Sequence, residues 1–391
     1  MPASFRKPEY LLILLAAAGS FAFASWHTLL NNFAVEMAGF TGVEIGILQS
    51  LREVPGFLAF TTVFILLLIR EQSFALISIA LLGLGVAMTG FMPSEYGLYF
   101  TTVLMSVGFH YYFTLQQSLT LQWVDKERSP LIMGRQSSAS SVASIIVFAG
   151  IWLGMEWAGL GYSWLYAVSG VAAVLVALFA WQWFPAFSHK EPQHKHLVLR
   201  KRYWLYYALV FMSGARRQIF VVFAGFLMVQ KFGYSASDIA LLFLANHILN
   251  TPLAPKIGRL ISAWGERRIL VLEYIGLIVI FVSYAFVETG WVAAVLYVID
   301  HLFFAMAIGI NSYFHKIADP KDIASTAGVS FTINHIAAVV IPVLFGLLWM
   351  VSPSSVFLAG AGMAVVSLGF ALLVPAKPSM EMNTVLATSE T

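Results

Sequence analysis

The sequence predicts an all-α polytopic membrane protein, with twelve transmembrane helices arranged as two pseudo-symmetric bundles of six. Three observations predict it. Sixty per cent of the 391 residues are hydrophobic and only 10% are charged, with a mean hydropathy of +0.82, well above the roughly half-apolar make-up of soluble domains. Apolar stretches near the length that crosses a hydrocarbon core, about 20 residues, recur about twelve times between polar or Gly/Pro breaks. The first half also returns in the second. Gly39-Phe40-Thr41-Gly42-Val43-Glu44-Ile45-Gly46-Ile47-Leu48 reappears as Gly233-Tyr234-Ser235-Ala236-Ser237-Asp238-Ile239-Ala240-Leu241-Leu242, a shift of 194 residues that also carries Asp125 onto Asp319 and Gly134 onto Gly328. Duplicated helical halves in a membrane form the architecture in which a midplane site is enclosed between repeats.

Arg6 and Lys7 precede an apolar stretch too long for a signal peptide and without a small-residue cleavage site, so it is read as a retained first helix. The expected spans are 9–36, 43–69, 74–92, 97–122, 134–156 and 163–185, then 203–231, 236–262, 268–288, 290–315, 323–350 and 354–375. Residues 1–187 thus form an N-terminal six-helix bundle and 203–376 a C-terminal one. Between them, 188–202 is a polar, basic linker with no apolar periodicity. The Ser/Thr/Glu-rich segment 377–391 reads as a disordered tail. On this topology 18 Lys and Arg lie on the side of the linker and both termini, three lie within helices (Arg52, Arg216, Arg217), and Lys231 stands alone on the far side. That bias places both termini and the linker in the cytoplasm, with the protein in the cell (inner) membrane.

Composition also excludes. There are no cysteines and therefore no disulfides or thiolate metal sites. A net charge of +3 gives no reason to expect nucleic acid. No His-Glu-x-x-His, phosphate-cradling Gly-rich loop or Gly-x-Ser-x-Gly occurs, so neither ATP-driven work nor common hydrolase chemistry has support. His189, His194 and His196 in the linker have no fixed scaffold and read as a solvated loop. No cofactor or metal is expected, and the chain is expected to be a monomer.

Between the eighth and ninth expected helices stands Gly258-Arg259-Leu260-Ile261-Ser262-Ala263-Trp264-Gly265-Glu266-Arg267-Arg268. It resembles the loop motif of the major facilitator superfamily, Gly-x-Leu-Ala-Asp-Arg-x-Gly-Arg-Arg. Gly258, Leu260, Gly265 and Arg267 match; Ser262 and Ala263 replace the family's Asp and first Arg, and Glu266 stands where another Arg is usual. Asp125-Lys126-Glu127-Arg128 with Gly134 is similar to the same family's pattern after the fourth helix. The resemblance implies a secondary transporter working by alternating access, whose first, fourth, seventh and tenth helices line the cavity. It also implies a gating role for Gly258, Gly265, Arg267 and Arg268; the competing role for the two arginines is topogenic charge alone.

An ionisable side chain at membrane depth costs roughly 2.5–3.5 kcal/mol on insertion scales and so demands a partner or a water-filled cavity. Counted at 1.5 Å per residue from the outer helix ends, Arg52, Glu53, His110, Arg216, Arg217, His247, Asp300, His301 and His335 fall roughly 14–23 Å deep, in one layer near the midplane. Arg216 or Arg217 is the candidate for the anionic group of a substrate, its guanidinium offering a fork of donors; the competing role is a permanent pair with Asp300. His110 shares a helix face with Gln117, and both are substrate-binding candidates, as are Asn311 and Trp26. Asp300 and His301 are candidates for proton coupling. Arg52 and Glu53 are expected to act as a gating salt bridge.

Together these features point to a secondary active transporter of a small organic solute, anionic or zwitterionic, with proton coupling. The alternatives are a multidrug/proton antiporter exporting lipophilic compounds and, in a different class, a membrane-embedded enzyme or a non-transporting receptor on a transporter scaffold.

Overall fold

In the computed structural model, which describes residues 6–124, 129–187, 199–319 and 322–386, every regular element is helical and no strand occurs among the described residues. The first half comprises α1 (Pro8–Ala38), α2 (Gly42–Phe57), the short α3 (Thr62–Ile65), α4 (Glu71–Thr89), α5 (Glu95–Trp123), α6 (Ser129–Glu156) and α7 (Tyr162–Trp183). The second comprises α8 (Trp204–Gln218), α9 (Gly225–Phe232), α10 (Ala236–Trp264), α11 (Glu266–Ala285), α12 (Gly290–Phe304), α13 (Ile308–Ile317), α14 (Ile323–Val351) and α15 (Pro353–Leu372). Nine of the described spans are long and apolar enough to cross a bilayer. Of the remaining segments, α2 is 16 residues long and runs into a 3-10 turn and the short α3, α5 carries His110, Gln116 and Gln117 within its apolar sequence, and α10 has an apolar stretch over Ala236–Leu249. The set is consistent with twelve.

The repeat is structural. Gly39 and Gly233 end α1 and α9 with the same left-handed backbone, φ 67° and ψ 29°, a conformation only glycine adopts without Cβ strain. Each is followed by an N-terminal box: the Thr41 N–H donates to Glu44 Oε2 at 2.8 Å, and the Ser235 N–H donates to Asp238 Oδ2 at 2.9 Å. Helix partners repeat too. In the first half α4 packs on α5 and α7, and α1 on α6; in the second α11 packs on α12 and α15, and α8 on α14.

The chain forms two compact units. Unit 1 is Met1–Phe40, Leu51–His194 and Tyr234–Leu244; unit 2 is Thr41–Ser50, Lys195–Gly233 and Ala245–Thr391. Within unit 1, α4 is welded to its neighbours through glycine. A Cβ on Gly170 of α7 would fall on the Ala87 nitrogen and the Gly83 carbonyl oxygen, and one on Gly108 of α5 would fall on Leu82 and Ser78 backbone atoms. Lipid supplies no hydrophobic drive between helices, so such backbone approach provides the packing.

Two local expectations are corrected. The loop expected between the eighth and ninth helices shrinks to one residue: α10 runs to Trp264, two residues beyond the expected 262, and Gly265, at φ 82°, turns the chain into α11. Glu266, in the position where the family motif carries Arg, is buried and binds Lys316 Nζ at 2.6 Å and Ser312 Oγ at 2.8 Å, so the acidic member of this corner sits in α11. Arg267 is half-buried and Arg268 exposed.

Where composition reads as a disordered tail, residues 377–386 lie against unit 2. Arg202 Nη2 donates to the Met380 carbonyl at 2.8 Å, Asn383 Nδ2 donates to the Arg202 carbonyl at 2.8 Å, and the Tyr313 hydroxyl donates to the Asn383 carbonyl. The contacts use backbone carbonyls, which composition does not register. Asp125, the linker histidines and residues 387–391 lie outside the described residues.

On the same side, Arg200 forks onto Asp322, Nε to Oδ2 at 2.6 Å and Nη2 to Oδ1 at 2.9 Å, and the Tyr203 hydroxyl donates to Oδ2 at 2.9 Å. The hydrogen bonds from Arg200 hold the Asp322 carboxyl below its ordinary range against the opposing effect of burial. A carboxylate depressed by folding stabilises above its unfolded pKa, near 4, and loses that contribution as pH falls through the folded value. Asp322→Asn is therefore expected to lower the melting temperature at pH 7, with the gap to wild type closing below about pH 4, as thermal unfolding at both pH values will read.

Candidate functional site

The seventh and tenth membrane segments are both broken helices. Residues Ile219–Ala224, directly after the arginine pair, form a π-helical stretch between α8 and α9, and Ala305–Ala307 form a 3-10 turn between α12 and α13. π turns concentrate at functional sites, and irregular backbone at membrane depth is tolerated where protein buries it or a cavity needs it. Here there is a cavity. It is an open cleft of about 520 Å³ within unit 2, inside the size range of ligand sites.

Arg217 enters this cavity from α8. Its Nη2 donates to Asn334 Oδ1 of α14 at 3.0 Å. Ser213, one turn earlier, Asn311 of α13 and Ser330 of α14 add polar groups, while Tyr206 and Phe331 supply aromatic wall. Asn334 is held there by close helix packing: a Cβ on Gly214 would come within 2.7 Å of its Nδ2 and 2.9 Å of its carbonyl oxygen. The arrangement combines one guanidinium, two carboxamides, hydroxyls and apolar rings. Its chemistry suits a solute with an acidic group and a polar or flat body.

Arg216 points elsewhere, as neighbours about 100° apart on a helix must. It is buried, lies 4.4 Å over the Tyr274 ring, and has its nearest carboxylate in Glu273, Nη2 to Oε1 at 3.6 Å. The carboxylate beside Arg216 is thus Glu273 of α11, and the competing role of a permanent pair with Asp300 has no ion pair within 4 Å among the described residues; α11 is not among the helices that line the resembled fold's cavity. Asp300 is buried nearby, its Oδ2 3.5 Å from His301 Nδ1. His301 Nδ1 also lies 2.8 Å from the Tyr297 carbonyl, which can only accept, so this nitrogen carries the hydrogen.

The first-half candidates belong to unit 1. His110 is buried, its Nδ1 2.9 Å from Ser106 Oγ and its Nε2 3.9 Å from Glu53 Oε2. Arg52 Nε donates to Glu53 Oε1 at 3.0 Å, and the Ser106 hydroxyl donates to the Arg52 carbonyl. Arg52, Glu53 and His110 therefore form one buried cluster inside unit 1. Trp26 is fully buried beside Phe23, while Gln117 is exposed. Of the six proposed substrate-binding residues, the structure brings Arg217 and Asn311 to one cavity; His110, Gln117, Trp26 and Arg216 lie outside it. Asn334, Ser213 and Ser330 complete it. Their only sequence signal is polarity within otherwise apolar spans.

Residues 10–342 match the family model described as Major Facilitator Superfamily. No protein of curated function matches the sequence. Among solved structures, the nucleoside transporter NupG is similar over 93% of this chain and 98% of its own, with a TM-score of 0.75 and 16% identity. A mutant form of the same transporter gives a TM-score of 0.77 at 15% identity, over 93% of this chain and 99% of that one. A bacterial homologue of the human lysosomal transporter Spinster, in an inward-facing and occupied conformation, is similar over 93% of this chain and 95% of its own, at TM-score 0.71 and 13% identity. At these identities the likeness is one of fold.

Proposed function

Because this chain belongs to the Major Facilitator Superfamily and is a multi-pass membrane transporter, we propose that it moves a small organic anion or zwitterion across the cytoplasmic membrane. It does so by alternating access with proton coupling, as a monomer with both termini in the cytoplasm. The observation that carries the solute class is Arg217. A guanidinium lining a 520 Å³ cavity beside Asn334, Asn311 and Ser213 offers a bidentate partner to a carboxylate, phosphate or sulfonate. The same charge repels lipophilic cations, which disfavours the multidrug alternative. Asp300 with His301 is the proposed proton-coupling locus, and Arg52, Glu53, Gly258, Gly265, Arg267 and Arg268 the proposed gating elements.

A second reading, a neutral nucleoside, is favoured by the aromatic side chains of Tyr206 and Phe331 beside the amides of Asn311 and Asn334, which suit ring stacking and edge hydrogen bonds. One structural neighbour, NupG, is a nucleoside transporter.

A thermal-shift panel of organic anions, amino acids, sugars, nucleosides and lipophilic cations against the purified protein separates these readings. Stabilisation by anions or zwitterions is expected. Stabilisation by nucleosides alone selects the second reading, and stabilisation by lipophilic cations alone overturns both. Gly214→Ala, which pushes on Asn334, is expected to weaken the stabilising compound by about 1 kcal/mol, roughly fivefold in Kd, when titrated by the same method.

A further inference from the structure

Unit 2 seals more negative than positive charge into one volume. Arg216, Glu273 and Asp300 are 2%, 0% and 1% exposed. The 3.6 Å Arg216–Glu273 separation is outside hydrogen-bond reach, and the Arg216 Nε–H is given to the Met212 carbonyl at 3.2 Å. Neither Glu273 oxygen, nor Asp300 Oδ1, accepts a hydrogen bond among the described residues. Among the described residues no other Lys or Arg pairs with Glu273 or Asp300. From α11 come the hydroxyls of Tyr274 and Tyr284, from α12 Tyr297 and His301, and from α10 His247, which acts on His301. Helix α15, packed along α11, has no ionisable side chain. Lys316 of α13 is committed to Glu266 at the other end of α11.

Two carboxylates around one guanidinium leave a net negative charge buried away from water, which costs several kcal/mol. The duplicated bundle shows that packing does not require it. Shifted by 194 residues, Arg216, Glu273 and Asp300 correspond to Ala22, Ile79 and Ser106 on α1, α4 and α5, all buried. At these three equivalent positions unit 1 carries no ionisable side chain.

We propose that Glu273 and Asp300 form a proton-binding site that holds one proton for the pair, so that one carboxyl is neutral while the other balances the Arg216 charge. Holding the proton, the cluster is neutral and compatible with a dry interior. When the proton passes to water both carboxyls are ionised, and the excess charge favours a hydrated, open arrangement, so proton release and opening are linked. His301, beside Asp300 with its ring one-third exposed, lies on the exit side. That this proton drives transport rests on the transport reading above; its presence does not.

Infrared difference spectroscopy of the full-length protein in lipid nanodiscs at pH 7, without solute, tests the site. The expected wild-type spectrum contains the carbonyl stretch of a neutral carboxylic acid. Glu273→Gln and Asp300→Asn each leave one carboxylate opposite Arg216, so each is expected to remove one such carbonyl per protein, and Arg216→Met is expected to add one. If neither amide variant removes a neutral-acid band, both carboxyls are ionised and the proposal fails. Should one variant not fold, the other reads the same quantity. A lost proposal with intact solute exchange leaves the transport reading standing, and a retained band without exchange does the reverse.

Discussion

Arg217→Ala is expected to weaken binding of the stabilising solute by at least about 30-fold, and Arg217→Lys to recover only part of it. The truncation removes the one guanidinium in the unit 2 cavity and leaves Asn334 Oδ1 without its 3.0 Å donor. Losing one partner of a buried charged hydrogen-bonded pair costs roughly 2–5 kcal/mol, most of it in the off-rate. Lysine restores charge but not the planar fork, so a bidentate acid group regains a single contact. Arg216→Ala separates the two arginines. Its guanidinium is sealed against Tyr274 and Glu273, so the variant is expected to lose stability while the protein that remains folded keeps solute affinity. Isothermal titration of the three variants measures the split; equal losses of affinity in Arg216→Ala and Arg217→Ala would refute it.

Gly170→Val is expected to be the most destabilising single change in unit 1. Its Cβ would coincide with backbone atoms of Ala87 and Gly83 on α4, and no rotamer change relieves a clash with backbone. Overpacking costs about 1–3 kcal/mol where side chains can adjust; here the upper end applies, roughly 6–12 °C in melting temperature. Gly150→Val on α6 is the control, because its Cβ meets nothing within 4 Å. Differential scanning fluorimetry of the pair in the same lipid decides it, and similar melting temperatures would show that α4 and α7 are not packed backbone to backbone.

Much of the fold is legible because membrane helices announce themselves twice, by apolar length and by repetition. The 194-residue register carries one αL glycine onto the other and one N-terminal box onto the other, with matching dihedrals and hydrogen bonds. Other features are not legible for physical reasons. The π turn after Gln218 has no residue signature, yet it lies directly after the two arginines. The ordered segment 377–386 binds through carbonyls that every residue type possesses. Glu273 is different, since a carboxyl two turns inside an apolar helix is itself a signal, although α11 lies outside the four helices that the family resemblance assigns to the cavity. Glu266 was visible as a departure from the family motif, but its partner Lys316, 50 positions on, was not.

The central claim, that a solute held by Arg217 is carried through the membrane, is tested most directly by counterflow in proteoliposomes. Vesicles preloaded with the compound that most stabilises the protein are diluted into its labelled form. Transient accumulation of label by wild type, absent with Arg217→Ala in the same lipid, is the predicted result. Stabilisation without any exchange, or exchange unaffected by Arg217→Ala, would contradict the account, the first by making the protein a receptor and the second by placing the solute elsewhere.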